Sequence, residues 1–156
     1  METSTANPSL QAFDRFPALS LLSLLLYSVA TLGIYSWWWM YSRSVILNTL
    51  LPPEQGIDKQ FMHLCVAGFG ITIILAIALG MQPDNLSLEN TVNVLSMAIN
   101  IMTIIWVLRM RRGIHYLLGP TQTMYHLNLF WTFLFQVFYL QQKINLIREH
   151  NQPGIM

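Results

Sequence analysis

The chain alternates between long apolar runs and short polar breaks. The first run sets the pattern: no charged residue falls between Arg15 and Arg43. Such a gap lets a helix cross the roughly 30 Å hydrocarbon core of a bilayer, which takes about 20 apolar residues. Three more runs follow, and the pattern predicts spans at about residues 17–41, 61–81, 90–108 and 124–140. The expected fold is all-α: a polytopic membrane protein, a bundle of four transmembrane helices over 17–150. A flexible polar tail at 1–16 precedes it and a frayed end at 151–156 follows.

Local signals refine each span. Pro17 suits a helix start, because its missing N–H costs nothing in the first turn. Trp37, Trp38, Trp39 and Tyr41 close the first span as an interfacial belt, their rings being apolar in body and polar at the tip. Three consecutive positions point about 100° apart on a helix, so they do not build an aromatic cage by themselves. Pro52-Pro53 stops the helix, and Asp58 is a fair N-cap for the next. The second span places Gly68, Thr72, Ala76 and Gly80 at a strict spacing of four, a face that lets another helix approach closely. Ser87 followed by Glu89 fits the start of the third span. There Asn93, Ser96, Asn100 and Thr103 form a polar stripe, and buried amides in lipid must find partners. The helix runs on through Arg109, Arg111 and Arg112 until Gly119-Pro120. In the fourth span Asn128, Thr132 and Gln136 share a face, with Phe130, Trp131, Phe133, Phe135 and Phe138 supplying much of the rest.

Composition agrees with this pattern. Of 156 residues 54% are hydrophobic and 10% charged, with a mean hydropathy of +0.46, where soluble domains carry about 25% charged residues. A net charge of +1 gives no electrostatic reason to expect nucleic acid. Cys65 is the sole cysteine, so no intrachain disulfide forms. The N-terminus lacks the basic region of a secretory signal. With four crossings, Arg43, Lys59, Arg109, Arg111 and Arg112 lie on one side, against Arg15, Lys143 and Arg148 on the other. That count puts both termini outside and makes Arg109, Arg111 and Arg112 a cytoplasmic basic cluster. The alternative, with the fourth segment lying on the surface, leaves three crossings and moves the C-terminus inside. Anionic lipid headgroups are a second reading of the cluster.

Thr31-Leu32-Gly33-Ile34-Tyr35, with Trp39 and Arg43 beyond it, resembles a motif of a family of small bacterial membrane proteins of unknown function. Leu140-Gln141-Gln142-Lys143-Ile144-Asn145 is similar to that family's closing motif, with Ile144 in place of leucine. The resemblance implies a bacterial multi-pass protein of the inner membrane. It carries no catalytic residues.

The chemistry-bearing residues form no pattern. All seven carboxylates, Glu2, Asp14, Glu54, Asp58, Asp84, Glu89 and Glu149, lie outside the predicted spans, whereas a site at membrane depth leaves ionisable groups there. His63 and Cys65 are two residues apart and diverge on a helix, and His115 and His126 are poorly placed to complete a metal site. The sequence therefore predicts no enzyme, no cofactor and no metal. The expected role is structural, accessory or assembly, acting through helix–helix association in the lipid bilayer, as a homo-oligomer or within a larger membrane complex. The alternative is an oligomeric transporter or channel for a small solute, lined by the Asn, Ser, Thr and Gln stripes.

Overall fold

A computed structural model describes residues 12–119 and 127–151. Among them the chain is all-helical, with no strand. After a 3-10 turn at Ala12–Arg15 come α1 (Leu21–Ala30), α2 (Ile34–Leu50), a second 3-10 turn at Pro53–Gln55, α3 (Lys59–Met81), α4 (Leu86–Leu118) and α5 (Leu129–Asn151). The chain divides into two compact units. One is Ile57–Trp106; the other joins Met1–Gly56 with Val107–Met156.

The Ile57–Trp106 unit is a helical hairpin made by α3 and the first part of α4. Asp58 caps α3, its carboxylate accepting from the N–H of Phe61 at 2.8 Å. At the head of α4 the cap is Asn85, whose Oδ1 accepts from Leu88 at 3.0 Å, rather than the expected Ser87. Asn85 lies one residue before the helix, which frees Ser87 to sit inside the first turn. Gly68 packs directly against the side chain of Ile99, and Phe61 meets Trp106 edge-on at 6.2 Å. Among the described residues two segments are long and apolar enough to cross a membrane: Pro53–Met81 (29 residues) and Leu86–Leu118 (33 residues). Only 6% and 22% of their most apolar stretches are buried within the chain.

The other unit packs α1, α2, α5 and the last turns of α4 around Leu24, Trp39, Leu47, Met110, Ile114, Leu140, Ile144 and Ile147, each less than 2% exposed. Where the pattern predicts one helix over 17–41, the chain forms two. Ser20 caps α1, its hydroxyl accepting from Ser23 at 3.0 Å, so the helix starts after Pro17. It ends at Ala30 because Leu32 and Gly33 take positive φ of 50° and 90°. Glycine adopts that backbone freely and stops helices there. Residues 12–16 are not a loose tail either. Phe13 and Phe16 are buried at 0% and 1% exposure, their rings stacked at 5.8 Å; two aromatic side chains this apolar are enough to fix a short segment. Residues 1–11 of the expected tail and 152–156 of the expected frayed end lie outside the described residues.

Gly113, which no sequence pattern singled out, packs α4 against Leu47 and Leu51 at the end of α2. A Cβ there would stand 2.9 Å from Leu47 Cδ2 and 2.8 Å from Leu51 Cδ1. Gly113→Leu should therefore destabilise this unit by about 1–3 kcal/mol through overpacking, read as a lowered melting temperature in detergent. Gly113→Ala should cost less, because the leucine tips can turn aside.

The fourth segment departs from expectation as well. It runs from Leu129 to Asn151 and is interrupted at Gln136, whose φ of 38° and ψ of −111° break the helix. Its second half carries Lys143, Arg148 and Glu149. It is not among the segments long and apolar enough to cross a membrane.

Candidate functional site

Two buried polar side chains of the α1–α2–α5 unit, Gln141 and Arg43, meet around Trp39. Trp39 is fully buried on α2, and its Nε1–H donates to Oε1 of Gln141 on α5 at 2.8 Å. Gln141 is also fully buried. Its Nε2 donates to Oδ1 of Asn145 at 2.7 Å, one helical turn on. Asn145 Nδ2 then donates to the carbonyl of Leu19 at 2.8 Å. Beside this chain Arg43, 3% exposed, donates from a terminal guanidinium nitrogen to the carbonyl of Pro17 at 3.2 Å. Its Cζ lies 5.5 Å from the Trp39 ring centre. The extended segment leading into α1 is thus gripped through two of its own carbonyls, by α2 and by α5.

Electrostatically the site is positive. Burial lowers the pKa of Arg43 from its ordinary value; Tyr35 opposes that shift and the neighbouring Arg148 adds to it. The Nε atoms of both arginines are buried without a hydrogen-bond partner. A cavity of about 290 Å³ lies beside them, lined by Ala18, Leu19, Ser20, Asn145, Arg148 and Glu149. Among the described residues no group of three or more His, Cys, Asp or Glu could hold a metal. The arrangement is built to hold helices together, because Trp39, Gln141, Asn145 and the Arg43 terminal nitrogen each bond to another part of the same unit.

The other sequence-predicted residues scatter. Of the interfacial belt, Trp38 is 56% exposed and Trp37 and Tyr41 half-buried, while Trp39 has left the surface for the core. On α3, Gly68 is occupied by Ile99, whereas Gly80 has open space around it; Thr72 is half-buried and Ala76 exposed. Thr72 and Thr103 return their hydroxyls to Gly68 and Ile99, one turn back in their own helices. Asn93 and Asn100 are exposed, and Ser96 half-buried. The fourth-segment stripe belongs to the other unit. There Asn128 caps α5 by accepting from Phe130 at 2.8 Å, Thr132 is fully buried and donates to the carbonyl of Asn128, and Gln136 sits at the break. In the basic cluster Arg109 and Arg112 are exposed. Arg111 Nε instead donates to the carbonyl of Leu127 at 2.9 Å, with His115 Nε2 3.3 Å from the same oxygen. His126 lies outside the described residues.

Fold and site together define an all-helical protein with two segments long and apolar enough to cross a membrane, and a helical unit closed by a buried Trp–Gln–Asn relay. Residues 19–116, more than half of the chain, match the domain of unknown function DUF4234. The chain belongs to that family. Trp39 and Arg43 fall inside the matched region, and Gln141 and Asn145 outside it. No curated protein matches the chain, and no solved structure matches it.

Proposed function

We propose that this chain is a membrane-embedded accessory or assembly component. Its α3–α4 hairpin crosses the bilayer and recruits another helix. The observation that carries the reading is the exposure of Asn93 and Asn100 on α4. Hydrocarbon leaves an amide no water to bond, so two exposed amides on so apolar a helix call for a partner from outside this copy. Gly80, with open space around it, gives a partner helix room to approach.

Orientation follows from the same two crossings. The turn between α3 and α4, residues 82–85, contains no Lys or Arg, and all eight basic residues of the chain lie on the other side of the hairpin. The positive-inside rule then makes that side cytoplasmic, with both termini in. This replaces the termini-out arrangement that four crossings implied.

The test is the mass of the assembly released by gentle solubilisation. A defined complex should be lost in Asn100→Leu and in Gly80→Leu while the hairpin survives by circular dichroism. Gly68→Leu is the wrong probe, because it strikes Ile99 within the same copy. A wild-type chain that runs as a lone monomer would overturn the proposal. A homo-oligomer whose solute flux in vesicles changes in Asn100→Asp would shift the reading to a transporter.

A further inference from the structure

We propose that α1, the turn at 31–33 and the first half of α2 form a re-entrant hairpin that dips into one leaflet of the bilayer and returns to the side it entered from. The partner is the hydrocarbon of that leaflet.

Length comes first. Ten residues of α1 rise about 15 Å, half of the roughly 30 Å core. The chain then reverses, and α1 and α2 pack side by side: the hydroxyls of Ser28 and Ser36 meet at 2.8 Å across them. The outward face is predominantly apolar, with Leu22 66%, Leu26 59%, Val29 67% and Leu32 91% exposed, and carries one phenol, Tyr27, at 51%. No charge occurs between Arg15 and Arg43, and these two mark the ends of the excursion.

An apolar face alone would not say what covers it. The turn does. Irregular backbone tolerates hydrocarbon only where its polar groups are satisfied internally, and here every N–H of the turn is. The N–H groups of Thr31, Leu32, Gly33, Ile34 and Ser36 donate to the carbonyls of Tyr27, Val29, Ser28, Thr31 and Gly33, at 2.7–3.1 Å. Tyr35 N–H donates to the Thr31 hydroxyl at 2.9 Å, which itself donates to Tyr27 at 2.7 Å. The Ser28 hydroxyl is bonded to the Leu24 carbonyl. The tip leaves no N–H of residues 31–36 to water and presents the Leu32 side chain outward. At the other end of the excursion the grip of Arg43 and Asn145 on the Pro17 and Leu19 carbonyls closes the base. Next to that base, Leu21, the aromatic side chains Trp131, Phe135, Phe138 and Tyr139, and Gln142 line a mostly apolar groove of about 420 Å³, room for an acyl chain beside the hairpin.

The inference rests on the membrane reading above, and the experiment separates the two. In a Cys65→Ser background, single cysteines at Ala18, Val29, Leu32, Thr49 and Asn85 are probed in sealed vesicles with a membrane-impermeant maleimide from each side. Ala18 and Thr49 should label from one side and Asn85 from the other. Val29 and Leu32 should lose labelling from both sides and regain it in detergent, and a spin label at either should be reached by oxygen but not by a polar nickel reagent. Ala18 and Thr49 labelling from opposite sides would mean a full crossing and overturn the hairpin. So would aqueous labelling of both Val29 and Leu32. Asn85 labelling from the same side as Thr49 would instead overturn the α3–α4 crossing, whatever the hairpin shows. Should Leu32→Cys misfold, Leu22→Cys and Val29→Cys report on the same face.

Discussion

Replacing Trp39 by alanine should destabilise the α1–α2–α5 unit by about 3–5 kcal/mol, the usual cost of deleting a fully buried large aromatic side chain. For a chain of this length that is a fall of roughly 6–20 °C in melting temperature, measured by circular dichroism in detergent. Two effects combine in that figure, and Trp39→Phe separates them. Phenylalanine keeps most of the apolar volume but removes the indole N–H that donates to Gln141. The amide oxygen of Gln141 is then buried with one partner fewer, which costs about 1–3 kcal/mol. Trp38, 56% exposed one residue earlier, is the control: Trp38→Ala should lower the melting temperature clearly less, because less than half of its surface leaves the interior. Equal effects at the two tryptophans would show that position 39 is not in the core.

That contrast also marks how far the sequence could be read. The triplet Trp37-Trp38-Trp39 looks like an interfacial belt, and pattern alone treats its members alike. What distinguishes Trp39 is a partner 102 residues away, and no local periodicity reports a contact at that distance. The α3 and α4 helices were legible, because their apolar length and the polar residues at 82–87 are local signals. The break at 31–33 was legible in part. Gly33 is a known helix stop, but the apolar residues on both sides masked it, since hydropathy averages over a turn that contains no polar residue except Thr31. The motif residues Trp39, Arg43, Gln141 and Asn145 were visible as a resemblance at the two ends of the chain. That they build one network follows only from the fold that brings α2 and α5 together.

The second large effect tests that network as a unit. Gln141→Leu should destabilise by about 2–4 kcal/mol, because it strands the Trp39 N–H and removes the donor to Asn145 while keeping the side-chain volume. Its partner Trp39→Phe costs about 1–3 kcal/mol on its own, as above. If the two residues acted independently, the double variant would fall by the sum. It should not. With both the indole N–H and the amide gone, neither buried group is left waiting for the other, so the double variant should be about as stable as Gln141→Leu alone. A coupling of about 1–3 kcal/mol is the expected size for directly bonded neighbours. A strictly additive cycle would mean that the hydrogen bond between Trp39 and Gln141 contributes nothing to folding. A full coupling, with Asn145→Leu still destabilising the double variant, would assign Asn145 a separate task. That task is its hold on the Leu19 carbonyl, which fixes where α1 begins and, on the re-entrant reading, where the chain enters the bilayer.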